Sequence, residues 1–435
     1  MMPKDAFKPA CNRLMLVLLL VLVGCGAPPA PPMPLTVSPD IQVSPGPSPL
    51  ASPTRLPLET TLEDLTAELS ATIIAALPST AIPERPDAVG FGGIAGVELL
   101  PLDSSDGQQL WVAYTYGIRS FDPHQNHLLA IYTRNNDVWQ ELGRLELPDI
   151  DSLLENAVEQ VQVAPGRIWI EVEGGVGAHS GVYTLLSFDG ATLRREAEGF
   201  NSSPFAGATD DLNGDGVPEV ILNQTENYVF CYVCGVRLWD FDVLGWDGSQ
   251  MVPVELAPLS NTAPAEARDA NNRAIELAQA GLWPEAQEAI SQARVLAQDP
   301  VIEWNATLIR LTAEARADQA RDGPYPLLDN IFYGDYAAAL DTVRPYAPSE
   351  IFDATGPLVV GTIAQGFEFE LQQWVTETTT LALQAQADLA AAYFLRGWAR
   401  YLADPTDPSA RADIEQAARI DPNEPLFAES VAYLR

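Results

Sequence analysis

Lysine is almost missing from this chain: among 435 residues the two lysines are Lys4 and Lys8, and no other follows. The 24 Lys and Arg face 59 Asp and Glu, a formal net charge of −35. Such an excess of carboxylate repels phosphate backbones and anionic headgroups, which excludes nucleic acid as a partner. The acids are scattered among aromatics and aliphatics without long runs, the pattern of a solvated globular surface rather than a disordered acidic tail. Histidine is scarce too: His124, His127 and His179 are the whole supply. No Ser, Cys or His nucleophile motif occurs, so no catalytic residue is named and no enzymatic activity is expected. Long apolar runs are also lacking. The one from Leu14 to Val23 is about half the ~20 residues a membrane-crossing helix needs.

What that short run does carry is an address. Lys4, Lys8 and Arg13 precede it and Leu22-Val23-Gly24-Cys25 closes it, giving a positive start, an apolar middle and a small residue before a cysteine. The segment resembles a bacterial lipoprotein signal with its lipobox. That resemblance implies removal of residues 1–24, a diacylglycerol on the Cys25 thiol and an acyl group on the new amino terminus. The protein would then sit outside the cytoplasm, lipid-anchored to a bacterial cell membrane. Several acyl chains on one residue exceed the two signals that stable anchoring needs. An ordinary cleaved signal with an incidental cysteine is the alternative.

The remaining stretch, about 410 residues, is enough for two domains and a small third element. Residues 25–58 are dominated by Pro, Ser, Ala and Thr, a composition that buries too little surface to fold and reads as a spacer. Thr60 and Glu63 then form a capping-box pattern, and Leu62, Leu65, Leu69, Ile73 and Leu77 recur at helical spacing until Pro78. One amphipathic helix is expected over 59–78.

Residues 88–259 change to short β-type runs bounded by Gly, Asp and Asn, including Trp111–Thr115, Leu128–Tyr132, Ile168–Val172 and Val182–Leu186. Turn residues recur in two series, at Asp106-Gly107, Pro165-Gly166 and Asp215-Gly216, and at Asp137, Asp189-Gly190 and Asp247-Gly248. They suggest three units of about fifty residues, each several strands long, like propeller blades. Two cysteines remain here, Cys231 and Cys234. A local disulfide is the favoured reading in an oxidising compartment, with a redox dithiol as the alternative. The flanks, Tyr228–Phe230 and Val236–Trp239, read as strands, whereas a redox pair belongs at a helix N-terminus. Zinc would need further ligands, and no histidine has the spacing.

Residues 262–435 turn to Ala, Leu, Gln, Glu and Arg with helical periodicity. Gly281-Leu282-Trp283-Pro284-Glu285-Ala286 with Ile290 and Ala293, Gly334-Asp335-Tyr336 with Ala339 and Val343, and Gly397 with Ala410, Ile414 and Ala417 form three matches. The pattern resembles the tetratricopeptide repeat, in which small residues let antiparallel helices approach closely. Unit starts lie 53 and 70 residues apart, not the ~34 of that repeat, and Gly323-Pro324-Tyr325-Pro326 breaks the first helix of the second unit.

One cluster carries site chemistry. Asp211, Asn213 and Asp215 stand at alternate positions, Gly216 follows, and Glu219 stands at the ninth. Calcium takes six to eight oxygens at ~2.3–2.6 Å, and alternate side chains from a tight loop converge on one point. The expected ligands are Asp211, Asn213 and Asp215, the Val217 carbonyl and Glu219, with weak affinity on the order of 10⁻⁴ to 10⁻³ M. A strand follows instead of a helix, which excludes an EF-hand, and an ion-free β-turn is the alternative. Residues Phe200–Asn223, with Ala208-Thr209-Asp210-Asp211 running into the loop, resemble the FG-GAP repeat of integrin-type propellers. Phe91–Thr115 looks like a degenerate copy. Where that family usually has Asp at the ninth position, this chain has Glu219.

The expected fold class is therefore multidomain α+β: an N-terminal β domain of propeller-blade-like repeats forming an incomplete propeller, then an all-α tetratricopeptide-like region. The expected function is binding or scaffolding between proteins, with a structural calcium ion and a protein partner the sequence leaves unidentified. A polysaccharide hydrolase of the cell envelope using paired carboxylates is the alternative. Trp239, Trp246 and Trp304, at strand and helix spacing, are expected in the core.

Overall fold

The computed structural model describes residues 62–76, 93–104, 107–118, 126–135 and 138–435. The lipobox with Cys25, the 25–58 spacer, Thr60, His124 and the turn residues Asp106 and Asp137 lie outside the described residues. Helix α1 (Leu62–Ala76) buries Leu65, Leu69 and Ile73 at successive four-residue steps, the stripe its sequence spacing requires. On its polar side Glu68 accepts a hydrogen bond from Trp139 Nε1 at 3.2 Å and pairs with Arg134 at 3.0 Å.

The β region is three antiparallel meanders in chain order. The first is β1 (Gly93–Leu102), β2 (Leu110–Ile118), β3 (His127–Asn135) and β4 (Val138–Leu147). The second is β6 (Val158–Val161), β7 (Ile168–Val176), β8 (Ser180–Phe188) and β9 (Leu193–Asn201), and the third is β10 (Gly207–Asp210), β11 (Glu219–Asn223), β12 (Phe241–Trp246) and β13 (Met251–Pro253). Two of the expected turns, at Asp189-Gly190 and Asp247-Gly248, join β8 to β9 and β12 to β13. Asp189 Oδ1 accepts from Ala191 and Thr192 N–H, Asp247 Oδ1 from Ser249 and Gln250 N–H, and the glycine after each aspartate has positive φ.

The first two meanders are not separate blades. The two-residue strand β5 (Ser152–Leu153) pairs with Gly117 and Ile118 of β2 and with Gly175 of β7. It joins both into one nine-stranded sheet curled as a half-barrel, and the third meander forms a sheet of its own. Turn spacing carries no information about such a bridge, which is made by residues with no turn of their own.

Alternation sorts the side chains. Ile168, Ile170 and Val172 of β7 face the half-barrel core with Val112, Ile131 and Leu186, while Trp169, Tyr183 and Leu185 face the other way onto Val220 and Leu222 of the third meander. The far face of that meander places Ile221 and Val243 against Leu311 of the helical region.

The helices are α2 (Ala265–Gln279), α3 (Trp283–Leu296), α4 (Pro300–Asp322), α5 (Pro326–Tyr333), α6 (Tyr336–Asp341), α7 (Pro348–Ile351), α8 (Glu368–Ala385), α9 (Ala390–Ala403), α10 (Pro408–Ile420) and α11 (Pro425–Tyr433). Proline opens many of them, where its missing N–H costs nothing, and Asp299, Asp335 and Asp407 cap free backbone N–H groups. The break at 323–326 separates α4 from α5. All three small-residue matches fall on pairs of consecutive helices that pack together: α2 with α3, α5 with α6, and α9 with α10. At the last, Gly397 lies so close to α10 that a β-carbon there would meet the Ala410 carbonyl at 2.8 Å.

The connection between β11 and β12 belongs to the helical core, while the sheets keep clusters of their own. Val229, Phe230 and Val236, from the connection between β11 and β12, are buried with the helices. The Phe230 ring packs 5.8 Å from Tyr325 and 5.7 Å from Phe367, and Trp374 Nε1 donates to the Val229 carbonyl. Arg316 of α4 donates to the carbonyls of Trp239 and Phe332 and lies over the Trp283 ring.

Candidate functional site

The loop from Asp211 to Val217 joins β10 to β11, and its own side chains hold it in shape. Asp211 Oδ1 accepts from the N–H groups of Gly214 and Asp215 at 2.8 and 3.1 Å, and Oδ2 accepts from Gly216 N–H at 2.9 Å. Gly214 and Gly216 take φ of +76° and +85°, which is why glycine stands there. Asp215 Oδ1 accepts from Val217 N–H at 2.7 Å. Glu219, 4% exposed at the start of β11, accepts from Leu212 N–H at 3.0 Å. Asn213 turns its amide nitrogen toward Asp215 and Glu219, at 3.0 and 3.3 Å, and so links the two carboxylates.

The electrostatics follow from this crowding. Burial, with the charges of Asp215 and Asp211 adding, pushes the Glu219 carboxyl up to about 7. Asp211, Asn213, Asp215 and Glu219 thus meet in one hydrogen-bonded network, and Val217 enters it through its N–H. Among the described residues no group of three or more His, Cys, Asp or Glu side chains is gathered so as to hold a metal ion. A cleft of about 520 Å³ adjoins the loop at Gly216 and Val217. Arg167 on its wall is paired with Glu196 at 3.0 Å and lies over the Trp246 ring.

Cys231 and Cys234 are joined by a disulfide across a short 3-10 turn, with Gly235 at φ +78° behind it. Their flanks are not strands: apart from the single bridge between Glu226 and Leu238, this stretch is irregular. Val229 and Val236 look like strand residues because they are buried, but they are buried against helices. Val233 at the tip is 89% exposed, and Tyr232 beside it stacks on His179 at 3.9 Å with Arg237 over its ring. His127 is buried and bonded to the Thr115 carbonyl. Trp246 packs edge-on against Trp169, and Trp239 stacks on Phe241 and donates to Gln319, but these two and Trp304 are only partly buried and lie at the edge of the core they were expected in.

The open end of the half-barrel went unnoticed in the sequence. It is a cleft of about 550 Å³ whose wall includes Arg195, Glu198 and Phe200. The signal for it was faint: Arg195 and Glu198 are an odd number of residues apart, and only a bulge brings both to one face.

No family model, no curated protein and no solved structure matches this chain.

Proposed function

We propose that this is a lipid-anchored, extracytoplasmic binding or scaffolding protein that mediates contact between proteins. The observation that carries the reading is the run of packed helices, whose core takes in the β11–β12 connection, with large apolar side chains left outward on it. Val295 of α3 is 87% exposed, and Phe369 and Leu381 of α8 are 72% and 50% exposed. Tetratricopeptide-like hairpins use such surfaces to hold segments of other proteins. The lipobox ending at Cys25 supports the anchor, and the Cys231–Cys234 disulfide suits an oxidising compartment.

In the same reading Phe200–Asn223, which runs into the third meander, is an FG-GAP-like unit, and Asp211, Asn213, Asp215, Val217 and Glu219 hold a structural calcium ion. Support for the ion comes from the alternate spacing of the oxygens and from three carboxylates crowded on one loop, whose repulsion a cation would relieve.

The test has two arms. Cys25→Ala moves the full-length protein from the membrane pellet to the soluble fraction, and intact mass of the native protein shows acyl chains on position 25. Affinity purification from solubilised membranes then yields a stoichiometric partner that Val295→Asp with Phe369→Asp releases. A protein that stays soluble with Cys25 intact, or a partner indifferent to those two positions, overturns the corresponding half.

A further inference from the structure

The half-barrel interior is filled at one end and open at the other. Val112, Ile131, Ile170, Leu186 and Phe188 fill the closed end. Along β8 and β9 the cross-strand pairs Thr184 with Glu198 and Val182 with Phe200 continue the face of Leu186 toward the open end. Together with the connection leaving β4 at Leu147 they line the cleft of about 550 Å³.

A regular strand would send Arg195 and Glu198 to opposite faces. Here the ladder pairs Leu185 with Ala197 and Leu186 with Arg195, so Glu196 is the extra residue of a bulge and Arg195 is turned to the cleft side. There Arg195 is held fast. It donates to the Glu146 carbonyl at 2.8 Å and pairs with Glu198 at 2.5 Å and Asp149 at 3.7 Å. Beside this planar polar array stands Phe200, whose side belongs to the interior of the ladder and which is nevertheless 57% exposed.

We propose that this mouth binds a neutral carbohydrate, with Phe200 as the stacking surface for a sugar ring and Arg195, Glu198 and Asp149 as the hydrogen-bonding partners of its hydroxyls. The volume lies within the ~300–1,000 Å³ of small-ligand sites, which favour the mouths of barrels. Asp149, Asp151 and Glu198 outnumber the single Arg195, so an anion is repelled; Asp149 and Glu198 are already paired with the guanidinium and Asp151 accepts from Gly177 N–H at 3.1 Å, so a cation would have to displace contacts the carboxylates already make. A pyranose has what remains to be matched: an apolar C–H face for the ring and hydroxyls for fixed, paired donors and acceptors. This inference depends neither on the calcium loop nor on the lipid anchor.

The full chain in detergent is titrated with maltotriose, cellotriose and chitotriose by calorimetry and saturation-transfer NMR, with spermidine and glucose 1-phosphate as cationic and anionic probes. At least one trisaccharide binds with a Kd below about 10 mM, and Phe200→Ala weakens it about tenfold while Val233→Ala, at the exposed tip of the disulfide turn, leaves it unchanged. Glu198→Gln gives the same loss and serves should Phe200→Ala fail to fold. Absence of saccharide binding up to about 10 mM, binding of spermidine or glucose 1-phosphate alone, or saccharide binding indifferent to positions 198 and 200 overturns the proposal. None of these probes reports on the helical surface, so the scaffolding reading stands or falls separately.

Discussion

Gly334 rests on the carbonyl oxygen of Gly281. A β-carbon at 334 would lie 2.4 Å from that oxygen and 2.9 Å from Leu282 Cα, and both glycines sit at positive φ, +88° and +74°. The turn between α5 and α6 is thereby seated on the turn between α2 and α3, which makes neighbours of two hairpins 53 residues apart in sequence.

The two glycines should therefore respond differently to alanine. Gly281→Ala meets nothing within 4 Å and bears only the left-handed backbone cost, about 1–2 kcal/mol. Gly334→Ala adds a backbone clash and loses about 3 kcal/mol or more. Urea unfolding of both variants measures the difference, and equal losses would mean that the turns do not touch.

Asp211 accepts three backbone N–H groups, so Asp211→Ala destabilises the third meander by about 2–3 kcal/mol even without metal. With calcium, the thermal midpoint of the native protein rises over that in chelator, and Glu219→Gln abolishes the rise. A native midpoint that is the same in both buffers removes the ion from the loop.

Asp329 supplies a pH dependence. Burial lifts its carboxyl to about 6, while Tyr325 N–H and Gln319 hold it from α4 and the start of α5. The folded chain thus binds this proton more tightly than the unfolded chain, whose aspartate titrates near ~3.9. Its contribution to stability is present at low pH and is lost as pH rises through about 4 to 6. Asp329→Asn keeps an acceptor for Tyr325 and removes that slope, so its midpoint exceeds the native one at pH 7 and the gap closes toward pH 4. A constant gap across a melting series at pH 4–7 would assign the effect to packing instead.

Arg316 is a half-buried peg between α4 and the β region, and desolvation draws its guanidinium down to about 10. Arg316→Ala leaves the carbonyls of Trp239 and Phe332 without their donor and costs about 3 kcal/mol. Lysine lacks the planar fork that reaches both carbonyls and lies over Trp283, so Arg316→Lys recovers less than half. Denaturant midpoints rank the three proteins.

Reduction of Cys231–Cys234 has a modest effect, because a three-residue separation closes only a small loop of the unfolded chain. Cys231→Ser with Cys234→Ser lowers stability by about 2 kcal/mol or less. A collapse of the whole fold on reduction would show that the link does more than tie one turn.

Much of the architecture was legible because it is written locally. Strands at Trp111–Thr115, Leu128–Tyr132, Ile168–Val172 and Val182–Leu186 show a two-residue alternation, α1 and the later helices show their apolar stripes, and the turns at Asp189-Gly190 and Asp247-Gly248 carry the residues their geometry demands. The flanks of Cys231 and Cys234 misled for the same reason. Val229 and Val236 are apolar and β-branched because they are buried, and burial by helices looks identical to burial in a sheet.

From the order of residues alone came the acidic composition, the passage from strands to helices near residue 260, and the oxygen-bearing loop at Asp211–Glu219, along with the lipobox-like pattern at Cys25 on which the proposed anchor rests. Only the tertiary structure decided that β5 stitches two meanders into one half-barrel, that Asn213 faces its neighbours with nitrogen, and that a bulge turns Arg195 into an open mouth. The division has a physical cause: periodicity and turn chemistry are set by adjacent residues. Strand bridging, amide orientation and bulge direction are set by partners many residues away, whose position no local pattern records.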